Sequence, residues 1–174
     1  MSFLSNSRLF IRALEPEDLD VLYRWENDTD IWRYGSSIKP YSRFALEEYI
    51  ADSVQSILTV KQLRMMIVEK DTDMAVGTLD LYDYDPINLR AGVGILLDSR
   101  VRRRGYGKES LEMLHSYSEH FLNIHSHYAY IQKGNTASYK LFYSCGYKKS
   151  GLLKDWLKTG SGFADVIIMQ RIGY

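Results

Sequence analysis

Arg102, Gly105 and Gly107, spaced as Arg-x-x-Gly-x-Gly, have the residue types and spacing to hold an anion. An apolar run from Val93 to Leu97 precedes them and ends at Asp98. A segment with helical spacing follows, opening at Gly105-Tyr106-Gly107. Strand, basic turn and helix in that order leave the first helical N–H groups without partners, and the macrodipole adds partial positive charge at the same end. Two glycines let the backbone approach a ligand closely, so the turn suits a phosphate-like group.

Two nucleotide loops fail on spacing. A Walker-type loop needs G-x-x-x-x-G-K-[ST]; Gly107-Lys108 is followed by Glu109, and Arg102 stands where the first glycine belongs. Gly92-x-Gly94 begins like a dinucleotide fingerprint, but it lies inside the apolar run and its third position is Leu97.

Composition removes other classes. The 174 residues suit one domain with its own core. Basic and acidic residues balance at 22 each, and the only basic cluster, Arg100 to Lys108, coincides with the anion loop, so no nucleic-acid partner is expected. The single cysteine, Cys145, excludes an internal disulfide and a multi-thiolate metal site and fits a reducing compartment. His125 and His127 sit two apart with no third ligand in pattern, and no metal is expected. The N-terminus lacks a basic start, and no apolar run nears the roughly 18 residues of a membrane span. A soluble, cytoplasmic protein is expected.

The elements that must position the loop can be read in order. Arg8 to Leu14 alternates as a first strand. Glu15-Pro16-Glu17-Asp18 opens a helix that stops near Asn27-Asp28. Asp30 to Pro40 is irregular and aromatic, the kind of segment that covers a pocket or packs down through Trp32 and Tyr34. A second helix is capped by Ser42, with Leu46, Tyr49, Ile50 and Val54 on one side. Gln62–Lys70 and Met74–Tyr82 make a hairpin, and Asp83–Asn88 turns back into the central strand. After the loop, Leu111, Leu114, Tyr117 and Phe121 give a helical stripe. His127–Gln132 then lies parallel to the central strand by a crossover. Asn135 caps a helix running to Cys145, and Lys148–Asp155 and Ala164–Arg171 close the chain around Thr159–Gly162.

The helix after Asn135 carries a second pattern, Asn135-x-x-Ser138-x-x-Leu141-Phe142-x-x-x-Gly146-Tyr147. Together the two patterns, their separation and the element order resemble the GNAT acetyltransferases over essentially the whole chain. Val76-Gly-Thr-Leu-Asp80 with Arg90-Ala91 looks like the ribosomal-protein and polyamine branches. The resemblance implies a single α/β (α+β) domain over residues 1–174. Its mixed seven-stranded sheet is mostly antiparallel with a parallel central pair, flanked by about four helices. It implies acetyl-CoA as cofactor, held by Arg102, Arg103, Arg104, Gly105, Tyr106, Gly107 and Lys108 at the pyrophosphate. Asn135, Ser138 and Phe142 would contact the cofactor, and the backbone of Ile95, Leu96 and Leu97 would hold its pantetheine arm, Leu96 also polarising the thioester carbonyl.

Acyl transfer from a thioester to an amine requires a deprotonated amine, a stabilised oxyanion and a protonated leaving thiolate. Family members with an obvious acid place Tyr directly after the helical Leu; here Phe142 stands there and Tyr143 follows, rotated by about 100 degrees. Relatives of the ribosomal branch carry Glu where this chain has Gly92. Tyr143 as acid, and Asp80 or Asp155 as base, are the remaining candidates. Cys145 reads as a small helix-end hydrophobe. The implied acceptor is a protein N-terminus, a polyamine or a small amine such as an aminoglycoside, and a homo-oligomer is compatible with the family. A non-catalytic acyl-CoA-binding module of the same fold is the alternative, separated by whether any amine is turned over.

Overall fold

The computed structural model describes residues 3–32, 39–160 and 162–173. Its strands are β1 (Leu9–Arg12), β2 (Leu63–Glu69), β3 (Met74–Asp85), β4 (Arg90–Leu97), β5 (Ser126–Gln132), β6 (Lys148–Thr159) and β7 (Gly162–Ile172). The helices are α1 (Leu19–Glu26), α2 (Thr29–Trp32), α3 (Arg43–Asp52), α4 (Ile57–Val60), α5 (Tyr106–His120) and α6 (Thr136–Ser144). α2 and α4 are single turns, so four longer helices flank the sheet. One seven-stranded sheet runs in the order β1-β2-β3-β4-β5-β7-β6, and only β4 and β5 are parallel.

Alternation along the strands separates two faces. Met65, Ile67, Leu79, Leu81, Ala91, Val93, Ala129 and Ile131 join Leu111, Leu114 and Phe142 of α5 and α6 in the larger core. Met66 and Val68 meet Leu22, Trp25 and Ile50 of α1 and α3 in a smaller one. Beyond those two helices, the second face of β3, β4 and β5 is uncovered by any described helix. Among the described residues no helix is long and apolar enough to cross a membrane.

Two apolar stripes end earlier than the sequence suggests. Val54 lies past the end of α3, at 87% exposure, because the chain turns at Ser53, whose N–H and hydroxyl both bond back to the Ile50 carbonyl. Phe121 follows the last turn of α5 and stacks on Tyr117 in solvent instead of entering the core. Of the aromatic segment Asp30–Pro40, residues 33–38, Tyr34 among them, lie outside the described residues. Trp32 does pack down, its indole N–H donating to the Glu26 carbonyl at 2.6 Å.

His125 and His127 do not converge: His125 precedes β5 in solvent, while His127 is fully buried. His127 Nε2 meets Ser118 Oγ at 2.7 Å, His115 Nε2 meets the Tyr147 hydroxyl at 2.8 Å, and His127 Nδ1 has no hydrogen-bond partner. Burial, with Arg171 close by, pushes His115 down to about 2 and His127 down to about 4. Both are therefore neutral in the fold, whereas the unfolded chain protonates them below about pH 6.5. The stability they hold is complete above that pH and is lost as pH falls, for His127 by about pH 4. Denaturant titrations from pH 7 to 5 should show stability declining with acid, less steeply in His127→Asn; equal slopes would refute the assignment.

Candidate active site

Asp98 ends β4, and its carboxylate accepts from the Arg100 amide at 3.0 Å, which starts the turn Ser99–Val101. The chain then reaches Gly105 in the left-handed region at φ 87°, where a side chain is disfavoured. Gly105 precedes the first turn of α5. Among the described residues the amides of Gly105, Tyr106 and Gly107 find no acceptor; the first helical N–H to do so is that of Lys108, to the Gly105 carbonyl. Three orphan donors at the start of a fifteen-residue helix give that end the chemistry to receive an anion.

The flanking cations divide into two sets. Arg102 and Arg103 are exposed and have no ion-pair partner among the described residues. Arg104 lies 3.8 Å from Glu69 and gives its carbonyl to Arg8, while Lys108 lies 3.7 Å from Glu112. The Tyr106 ring is buried under Arg8 with its hydroxyl on Glu69, so only its amide faces the loop.

Beside β4 the sheet opens. Pairing with β5 covers Arg90, Ala91 and Gly92 and stops at Tyr128, while β4 stays paired with β3 as far as Leu97. Strand parity settles which groups line the gap. The Asp98 amide bonds to the Val76 carbonyl of β3, so the amides of Leu96, Gly94 and Gly92 also face β3. Those of Val93, Ile95 and Leu97 face β5; the first closes the last pair with Tyr128, and Ile95 and Leu97 face the opening. This corrects the expectation for Leu96: its N–H is spent on Thr78, and a carbonyl in the gap would be polarised by Ile95 or Leu97. From the other side, the Gly173 N–H bonds to the His125 carbonyl, which leaves the backbone of Tyr128, Tyr130 and Gln132 facing β4.

The uncovered face carries three adjoining cavities. One of about 480 Å³ sits over the gap between Tyr82, Val93, Gly94, Tyr130 and Trp156. It shares Gln62, Arg64 and Asp80 with a second under α1 and α3, and Tyr130 with a third lined by Asp83, Asp85 and Arg90. Asp80 lies over Gly94, its Cβ 3.4 Å from where a Gly94 side chain would begin. Arg64 donates to Asp80 at 2.6 Å and to Glu26 at 2.6 Å, with its guanidinium 5.4 Å from the Tyr49 ring centroid.

The structure leaves other sequence candidates outside this groove. Tyr143 is 64% exposed on α6 and stacks on Tyr139. Phe142 is 3% exposed and meets the Tyr147 ring edge-on, which leaves it almost no face for a ligand. Asp155 is exposed on β6, its amide bonded to Asp165. Asn135 caps α6 through the Ser138 amide, with Ser138 partly exposed beside it. Sequence reading missed Arg64, and it weighed Tyr82 only as part of Asp80–Asp85, a stretch of acids and tyrosines able to attract a cationic amine. Tyr82 could have been singled out by strand alternation, which puts it on the face of Asp80.

A helix start with free amides, continuous with a gap walled by unpaired strand amides, has the layout that an acyltransferase using a coenzyme A thioester requires. The acetyltransferase (GNAT) domain family matches residues 8–148, and the chain belongs to that family. It is an N-acetyltransferase with acetyl-CoA as donor and an amine as acceptor. The uncharacterized N-acetyltransferase p20 of Bacillus licheniformis is 30% identical over 99% of this chain and 97% of its own length. Spermidine N(1)-acetyltransferase of Vibrio cholerae is 26% identical over 92% and 91%. A crystal structure of spermidine N-acetyltransferase from Vibrio cholerae, in complex with CoA and spermine, superposes with a TM-score of 0.87 at 24% identity over 96% of each chain.

Proposed function

We propose that this chain acetylates a primary amine of a small aliphatic polyamine. The observation that carries the proposal is the groove on the uncovered face. Glu26, Asp80, Asp83 and Asp85 outnumber Arg64 and Arg90 along it, and Tyr41, Tyr49, Tyr82, Tyr128, Tyr130 and Trp156 supply aromatic walls. Such a lining attracts a flexible polycation by charge and by ring faces. The similarity to a spermidine N(1)-acetyltransferase points the same way.

In this reading the amides of Gly105, Tyr106 and Gly107 bind the pyrophosphate with Arg102 and Arg103 beside them. Ile95 and Leu97 orient the arm and polarise the carbonyl. Asp80 draws the ammonium group toward Gly94. With Arg64 on its carboxylate it serves better as an electrostatic anchor than as a base, and the first proton of the ammonium passes to water. The reaction is placed in the cytoplasm, in keeping with the unpaired Cys145.

A thiol-release assay over spermidine, spermine, a diamine, an N-terminal peptide and an aminoglycoside tests the acceptor. The triamine or tetramine should exceed the peptide and aminoglycoside by at least about tenfold in kcat/KM, with the advantage shrinking as salt screens the groove. Preference for the peptide or aminoglycoside would reject the polyamine. Tight acetyl-CoA binding with no turnover above hydrolysis would favour the non-catalytic module.

A further inference from the structure

The point where β4 and β5 part is packed by the ring of Tyr82. The Tyr82 ring lies flat against Gly92, so close that a Cβ there would stand 2.1 Å from Cε2 and 2.3 Å from Cζ. Gly92 is thus required by the ring. Gly92 and Tyr128 are also the last paired residues before the strands part. The Tyr130 N–H faces β4 but has no strand partner there, and Tyr130 and Tyr82 line the same cavity beyond that last pair. The phenol lines the cavity over the gap together with Val93, Gly94 and Tyr130.

Among the described residues, none on α6 lines the cavity over the gap; Phe142 has no hydroxyl and Tyr143 is 64% exposed. We propose that Tyr82 is the proton relay of acetyl transfer: its oxygen takes a proton from the attacking nitrogen as its own proton passes to the departing sulfur. The step balances without a further reactant. A C–N bond forms, the C–S bond breaks, nitrogen loses a proton, sulfur gains one, and the phenol ends as it began. Burial, with Tyr128 alongside, holds the phenol far above its usual range. A relay that never requires free phenolate suits such a group.

This inference rests on the acetyltransferase reading but not on the polyamine. Tyr82→Phe keeps the ring on Gly92 and removes only the hydroxyl. Turnover at saturating amine should fall about 100-fold, while calorimetric affinity for CoA and the melting temperature stay at wild-type values. Gly92→Ala keeps the hydroxyl but drives it off its position, and should lower turnover similarly at unchanged CoA affinity. Turnover within about threefold of wild type in either variant would overturn the relay. If wild type accepts none of the amines, the acceptor reading fails, and the relay is read from slow hydrolysis of acetyl-CoA. Slower thiol release in Tyr82→Phe then supports it, and an equal rate overturns it.

Discussion

Gly105→Glu should cost the chain its grip on coenzyme A, with calorimetric affinity falling by at least about 100-fold, roughly 2.7 kcal/mol. Two effects add. At φ 87° any side chain strains the backbone, by about 1–2 kcal/mol. The new carboxylate also enters the cradle formed by the free amides of Gly105, Tyr106 and Gly107, competing for them and repelling a diphosphate. The neighbouring cation cannot simply absorb the charge. A Cβ at Gly105 would stand 3.8 Å from Arg8 Nη1, but Arg8 already serves Glu109 and the Arg104 carbonyl. Gly105→Ala isolates the strain and should lose only about tenfold. Affinity in Gly105→Glu equal to wild type, with the fold intact by circular dichroism, would mean that the diphosphate sits elsewhere.

That loop was legible in the sequence because its chemistry is local. Glycine spacing, a basic turn and a helix start lie within a few residues, and the Asn135 cap of α6 is equally short-range. What could not be read depends on contacts between distant segments. Leu96 and Ile95 are equivalent in a strand pattern, and only the bond from Asp98 to Val76 fixes which amide reaches the gap. Gly92 read as a missing acid; its reason is the ring of Tyr82, ten positions earlier but adjacent across the ladder. Asp80 could be placed on the open face by alternation. Its two-sided anchor, Arg64 with Glu26, joins three elements and leaves no trace in spacing. The stripes that overran at Val54 and Phe121 failed for the opposite reason, since helical periodicity continues past a helix end that backbone bonding sets.

Asp98→Ala should produce the largest loss of stability, because one buried carboxylate ties the turn after β4 to α1. At 4% exposure, Asp98 accepts from Trp25 Nε1 at 3.0 Å and Arg24 Nη2 at 3.0 Å, both on α1. It also accepts from Arg100 Nε at 2.9 Å and Nη2 at 2.7 Å, at the entrance to the turn. Arg24 and Arg100 are more than half exposed and can turn to water, so their pairing adds little. The buried Trp25 N–H cannot, and leaving it without an acceptor beside a new cavity sets the cost at about 3 kcal/mol. Arg100 above all, with Trp25, holds the Asp98 carboxyl well below the usual carboxylate range. Its contribution is therefore complete above about pH 4 and is lost as pH falls further, toward the folded-state value. Denaturant unfolding should show wild type and Asp98→Ala well separated at pH 7 and the separation narrowing, without vanishing, below about pH 4. Asp98→Asn should fall between them, since its amide oxygen can still receive the indole. Freed from its anchor, the turn Ser99–Val101 should also weaken CoA binding several-fold. A separation under about 1 kcal/mol at pH 7, or one that persists unchanged into acid, would show that α1 and the turn after β4 are held together by something other than this carboxylate.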